Sequence, residues 1–176
     1  MLIVHIKSTK DTEDFSCIYE NIKGKILINP SRLNLEKELG KEKDRIVFIG
    51  HGTEYGLLDS DLEHYLLDGY NVNLLKNKII IGVWCYAGNF AGRHDPKGFF
   101  TSNFISNMEE LISSGLCIRA EESEYLIRSE NIKFSKKLNK LLLNNVELEN
   151  WEEELRKDMS NFSFTQYNYE AFYIDV

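Results

Sequence analysis

The sequence predicts an α/β domain built in three layers, with a mostly parallel sheet flanked by helices on both faces. Three observations carry this expectation. The runs Arg45 to Ile49 and Lys78 to Trp84 are of strand length and apolar on successive residues, as strands buried on both faces are. Stretches of helical spacing separate such runs, which suits crossover connections between parallel strands. Eight of the eleven glycines fall between Gly50 and Gly98, so tight turns and close backbone approaches gather in the loops after these two strands. Ligands in such sheets bind beyond the carboxyl ends of the strands, and the site is expected there.

From the start of the chain, Met1 to Lys7 is a short β-branched run followed by the polar Ser8 to Asp14, a strand and its exit loop. Ser31 is placed to cap a helix with Leu33, Leu35 and Leu39 on or near one face, and Gly40 to end it in a left-handed cap. The charged linker Lys41 to Asp44 leads into the first buried run, which ends at Gly50-His51-Gly52. A weakly helical stretch passes through Leu66 and Leu74 before the second buried run, which ends at Cys85-Tyr86-Ala87-Gly88. Asn89 to Gly98, polar and bearing Gly92, is expected to be a flexible loop that orders over bound substrate. Phe99 to Ser113 sets Phe100, Phe104, Ile105, Met108, Leu111 and Ile112 at helical spacing, and Gly115 stops it before a short strand, Leu116 to Ile118. Helices over Asn131 to Leu143 and Glu147 to Met159 follow, the acidic Glu147 to Glu154 being a solvated face, and the aromatic Phe162 to Val176 is read as a closing strand.

A length of 176 residues suits one domain, residues 1–176, and 43% apolar with 28% charged residues is enough to bury a core. Twenty-eight acidic against twenty-one basic residues give a net charge of -7, which repels phosphate backbones and anionic headgroups. Nucleic acid and membrane surfaces are therefore not expected partners. Nothing approaches a membrane-spanning apolar run. Cys17, Cys85 and Cys117 have no paired spacing and no secretory leader precedes them, so a reduced, cytoplasmic protein is expected.

Cysteine is appreciably ionised near neutral pH, and a neighbouring imidazole can take its proton or pair with its thiolate. His51 and Cys85 hold matching positions at two strand ends. On adjacent parallel strands, about 4.8 Å apart, they would face one cleft. The amides of Gly52 and Cys85 would then offer two donors to a developing oxyanion. Cys17 and Cys117 read as packing residues, His5 as half-buried, and His64 and His94 as surface residues. These scattered histidines make no zinc pattern, and no metal or cofactor is expected. The gap from Cys85 to Arg93 is too long for a phosphate-cradling Cys-x5-Arg loop.

The apolar strand with His-Gly in Ile46 to Gly52, followed by the apolar strand with Cys-x-x-Gly in Ile79 to Gly88, resembles the caspase-like cysteine peptidases. This group includes gingipains, clostripain, metacaspases, separase and the CHAT domains. The resemblance implies a caspase-like fold, with His51 as the catalytic histidine, Cys85 as the nucleophile, and the Gly52 and Cys85 amides as the oxyanion hole. It implies a cysteine endopeptidase that cuts peptide or protein substrates through a thioester. The alternative is a catalytically silent module of the same fold that binds a peptide or protein partner. Clostripain-like and metacaspase-like members carry an acidic residue two positions before the cysteine, where this chain has Val83. A basic substrate side chain would instead need carboxylates from Glu54, Asp59 and Asp61, or from Asp11 and Asp14, and on these a basic residue is expected ahead of an uncharged one, with Asp last.

Overall fold

The structure, a computed structural model, describes residues 1–42, 44–116, 123–170 and 172–176. Its main sheet has six strands: β1 (Leu2–His5), β2 (Lys25–Ile28), β3 (Arg45–Ile49), β7 (Ile79–Val83), β8 (Gly98–Phe100) and β9 (Tyr173–Asp175). Between β3 and β7 a small antiparallel sheet is formed by β4 (Gly52–Thr53), β5 (Gly56–Leu58) and β6 (Tyr65–Asp68). The main sheet runs β2-β1-β3-β7-β8-β9, and every neighbouring pair is parallel except β8 with β9.

Alternation along the strands builds the two apolar layers. Val4, Ile46, Phe48 and Ile80 point to one face, where Leu35 and Leu39 of α2 (Arg32–Leu39) and Phe90 and Ala91 of α3 (Ala87–His94) cover them. Ile3, Val47, Ile49, Ile81 and Val83 point to the other, against Phe134 and Leu138 of α5 (Glu124–Leu143) and Trp151 of α6 (Trp151–Arg156). Each such side chain taken from water contributes roughly 1.5–3 kcal/mol. Helices on both faces of a mostly parallel sheet are the architecture the apolar runs predicted. Among the described residues no helix is long and apolar enough to cross a membrane.

Several elements differ from the sequence reading, each for a tertiary reason. Phe99 to Ser113 is not one helix. Gly98–Phe100 adds a strand beside β7, where Phe99 and Phe100 are fully buried on opposite faces of the sheet, and only α4 (Met108–Ser113) is helical. Gly98 permits that strand, because a Cβ there would lie 1.8 Å from the Ile80 carbonyl oxygen and its φ is +146°. The stretch through Leu66 and Leu74 is the β4-β5-β6 sheet and a 3-10 turn at Val72–Leu75, with Leu57, Leu66 and Leu67 buried on the α2 face. Asn89 to Gly98 is not a loop: Tyr86 turns the chain in a left-handed conformation, φ +65°, and α3 follows, anchored by Phe90 and Ala91. His94 ends that helix with its ring 4.7 Å from the Phe90 ring.

Phe162 to Val176 divides into α7 (Ser163–Glu170), whose Phe164, Thr165, Asn168 and Tyr169 share a buried face, and β9. The helix expected from Asn131 begins earlier, at Glu124, and that expected from Glu147 shortens to a 3-10 turn and α6. Ser31 caps α2 by accepting from Asn34 N–H, but Gly40 ends it in a right-handed conformation, φ -65°, and Leu33 faces solvent. The edge strand β2, apolar at three of its four residues, was not read from the sequence; it is short and three of the four are exposed. Leu116 lies outside any strand, and Cys117 and Ile118 lie outside the described residues. His5 is fully buried rather than half-buried.

Candidate functional site

Strands β3 and β7 are adjacent and parallel, with Ile49 opposite Val83. Gly50 N–H extends the pairing to Val83 O at 3.2 Å. His51 and Cys85 each lie two residues beyond that pair, so strand alternation sends both toward the α5 face at the carboxyl end of the sheet. There they line one open cleft of about 610 Å³. Beneath it lies a crevice of about 20 Å³, lined by His51, Cys85, Phe104 and Ser106 among others and large enough for one water.

The imidazole is held from the loop after β1. His51 Nε2 is 2.7 Å from Thr9 Oγ1 and 3.7 Å from Asp11 Oδ2. Thr9 is the N-cap of α1 (Lys10–Asp14), and its N–H donates to Thr12 Oγ1 in a capping box. Buried His5 fixes that turn from below, with Nε2 2.8 Å from Thr12 O and Nδ1 3.0 Å from Tyr19 Oη.

Glu110 of α4 enters the same cleft. Its Oε2 accepts from Ser106 N–H at 2.6 Å and lies 2.8 Å from Ser106 Oγ, while Asp11 Oδ2 lies 2.5 Å from the same hydroxyl. Asn107 Nδ2 donates to Asp11 Oδ2 at 3.3 Å and Asn107 caps α4. Burial pushes the Asp11 carboxyl up, but hydrogen bonds from Ser106, Thr9 and Asn107 and the nearby His51 carry it below the ordinary carboxylate value. Asp11, His51 and Glu110 each offer a ligand atom, all within 4.8 Å of one another, so this trio has the atoms to hold a cation.

Cys85 is placed by the turn between β7 and α3. Thr101 Oγ1 donates to Trp84 O at 2.8 Å and Tyr86 N–H to Ser102 O at 3.1 Å, tying the turn to the segment after β8. The thiol donates to Phe104 O at 3.3 Å. Burial pushes it up to about 12, and the charges of Glu110 and Asp11 add to that while the Phe104 contact opposes it. At rest Cys85 is a protonated thiol. Among the described residues no hydrogen bond joins it to His51.

Two backbone donors are positioned near it. Gly52 lies opposite Leu57, and Leu58 N–H bonds His51 O at 2.9 Å, so Gly52 occupies a non-hydrogen-bonded pair and its own N–H points away from β5. The Cys85 N–H takes part in none of the described backbone hydrogen bonds outside helices and strands. Trp84 packs across Gly52, with Nε1 donating to Thr53 O at 3.3 Å. A Cβ on Gly52 would lie 2.2 Å from Trp84 Cδ1 and 2.6 Å from Gly56 O. Trp84 cannot yield, since it is buried edge-on against Phe48, Phe90 and Phe100. Gly52→Ala is expected to destabilise the fold by about 2 kcal/mol, as overpacking does, read as a lower urea midpoint at unchanged slope.

No family model matches the chain, and no curated protein does.

The site therefore rests on its own residues. The structure brings together His51, Gly52, Cys85 and Asp11 at the cleft. Glu54, Asp59 and Asp61 do not line it. Asp61 instead holds His64 at 2.8 Å in an exposed turn with Asp59, and Asp14 pairs with Arg128 at 2.6 Å. Val83 is core, 3% exposed, and touches only the crevice. Thr9, Ser106 and Glu110 were missed. Thr9 had one available signal, a threonine at a strand exit in position to cap a helix, whereas Ser106 and Glu110 arrive through a long-range fold of the segment after β8 that no local pattern marks.

Proposed function

We propose that the chain is a cysteine endopeptidase in which His51 and Cys85 form the catalytic dyad. The observation that supports this most is the β3-β7 register, which sets the two motif residues at equivalent positions on one sheet face and in one cleft. The resemblance to caspase-like cysteine peptidases favours the same reading. In the reaction, the Cys85 proton passes to His51 as Sγ bonds to the substrate carbonyl carbon. The oxyanion that forms is received by the Gly52 and Cys85 N–H groups. The C–N bond then breaks, and the imidazolium gives its proton to the departing amine. Water, deprotonated by His51, attacks the thioester, releases the carboxylic acid and returns the thiol.

A second reading, a silent module that binds a peptide in the same cleft, is favoured by one observation: the thiol is donated to Phe104 O and pushed up to about 12. A peptide bearing a thiol-directed electrophile separates the two, with mass spectrometry locating the adduct. The peptidase reading expects Cys85 to label at least tenfold faster than Cys17 or Cys117, and His51→Ala to remove that advantage (about one kcal/mol of activation is a factor of five or so). Equal labelling at all three cysteines would favour the silent module.

A further inference from the structure

The contact between Thr9 and His51 raises the question of which atom carries the proton, and the surrounding groups answer it. Thr9 Oγ1 has one proton and two lone pairs. Thr12 Oγ1, 3.4 Å away, already spends its proton on Thr9 O at 2.7 Å. The Asp11 carboxylate lies 3.7 Å from His51 Nε2, so an Nε2 lone pair would face an anion there while an Nε2–H is attracted to it. With the proton on Nε2, Thr9 Oγ1 at 2.7 Å is the acceptor, through one of its lone pairs.

We infer that Thr9 and Asp11 are positioning residues for His51: Thr9 Oγ1 and the Asp11 carboxylate, both facing Nε2, fix the imidazole in its Nε2–H tautomer and leave Nδ1 as the base for the Cys85 proton. This rests on the dyad proposed above and adds what makes the imidazole competent. The groups facing the ring are Asp11 from α1, Glu110 from α4 and Cys85 from the end of β7, and Asp11 is itself held by Ser106 and Asn107. Its oxygen is thus occupied on one side and presented to the Thr9–His51 pair on the other. A tautomer locked by a side-chain hydroxyl is more exposed to mutation than one locked by a backbone carbonyl, since a single residue change removes it.

Nitrogen NMR of the ¹⁵N-labelled full-length chain, at mildly alkaline pH, reads the tautomer directly and needs no substrate. The wild-type protein is expected to give the Nε2–H pattern for His51, Thr9→Ser to keep it, and Thr9→Val to give a mixture with Nδ1–H. The rate of Cys85 carboxymethylation is expected to fall about tenfold in Thr9→Val, the worth of one lost hydrogen bond at the base, and to be retained in Thr9→Ser. An Nδ1–H pattern in the wild-type protein overturns the inference even where Thr9→Val does not fold. So does a folded Thr9→Val in which neither tautomer nor rate changes. If instead the wild-type tautomer is Nε2–H but Cys85 reacts no faster than Cys17, the positioning of His51 stands and the peptidase reading fails.

Discussion

Cys85→Ala is expected to abolish peptide hydrolysis, and His51→Ala to lower kcat/KM by about 10² to 10⁴-fold, the range found when a general base is removed. The two losses have different origins. Without Sγ no thioester forms, and the only route left is direct attack of water on an amide. Without His51 the nucleophile remains but must ionise by itself. With burial pushing the thiol well above its ordinary value, thiolate is scarce at pH 7. The more basic thiolate is intrinsically the better nucleophile, which recovers part of that deficit. The double variant is expected to match Cys85→Ala alone, because the two residues act as one unit. Turnover of an internally quenched peptide library, with urea midpoints confirming that both variants fold, checks this. Retained hydrolysis in purified Cys85→Ala protein would reject the assignment.

The parts of the molecule legible in the sequence are those whose energetics are local or one-dimensional. Arg45 to Ile49 and Ile79 to Val83 could be read as buried strands because each is apolar on both faces, and no helix-side pattern competes with them. His51 and Cys85 stood out because they end those strands, and their juxtaposition needed only that the strands be neighbours. The segment after β7 was illegible for the opposite reason. Phe100 fits a helical stripe with Phe104 and Met108, yet burying it and Phe99 on opposite sheet faces beside β7 removes more apolar surface from water than a surface helix would. That choice leaves the backbone from Asn103 to Asn107 without a ladder. Distant side chains satisfy it instead: Asn168 accepts from Ile105 N–H and donates to Ile105 O, and Asn131 donates to Ser106 O. Ser106 and Glu110 reach the cleft by way of these contacts, across more than 60 residues for the Asn168 pair, and no sequence window contains them. Glu54, Asp59 and Asp61 show how little nearness in sequence fixes direction: Leu58 and Leu62 line the cleft, while Asp59 and Asp61 between them are engaged in their own exposed turn with His64.

Acid is expected to destabilise the fold through His5 before it protonates the carboxylates of the cleft. His5 is fully buried on β1, and burial, with the charge of Lys7 in the same direction, lowers its pKa to about 4, against which the bond to Thr12 O acts. The model-peptide value is 6.5, so between about pH 6.5 and 4 the unfolded chain binds a proton at this position that the folded chain refuses. Stability therefore falls as the pH falls through that window, by about 3 kcal/mol in all, and most of the loss is complete by about pH 4.5. Above pH 6.5 His5 contributes no slope. Carboxylates held low in the folded state act further down: Glu38, at about 2 between Lys25 and Lys41, loses its contribution only below the ordinary carboxylate range. His64, raised by Asp61, has the opposite sign, contributing below 6.5 and losing that as the pH rises, but it is exposed and its effect is screened. The acid loss in the window is thus assigned to His5. His5→Gln keeps a side-chain donor for Thr12 O while removing the titration, so its urea midpoint is expected to change little between about pH 7.5 and pH 4.5, where the wild-type midpoint drops. A His5→Gln chain whose midpoint falls with pH as steeply as the wild type would place the titrating group elsewhere.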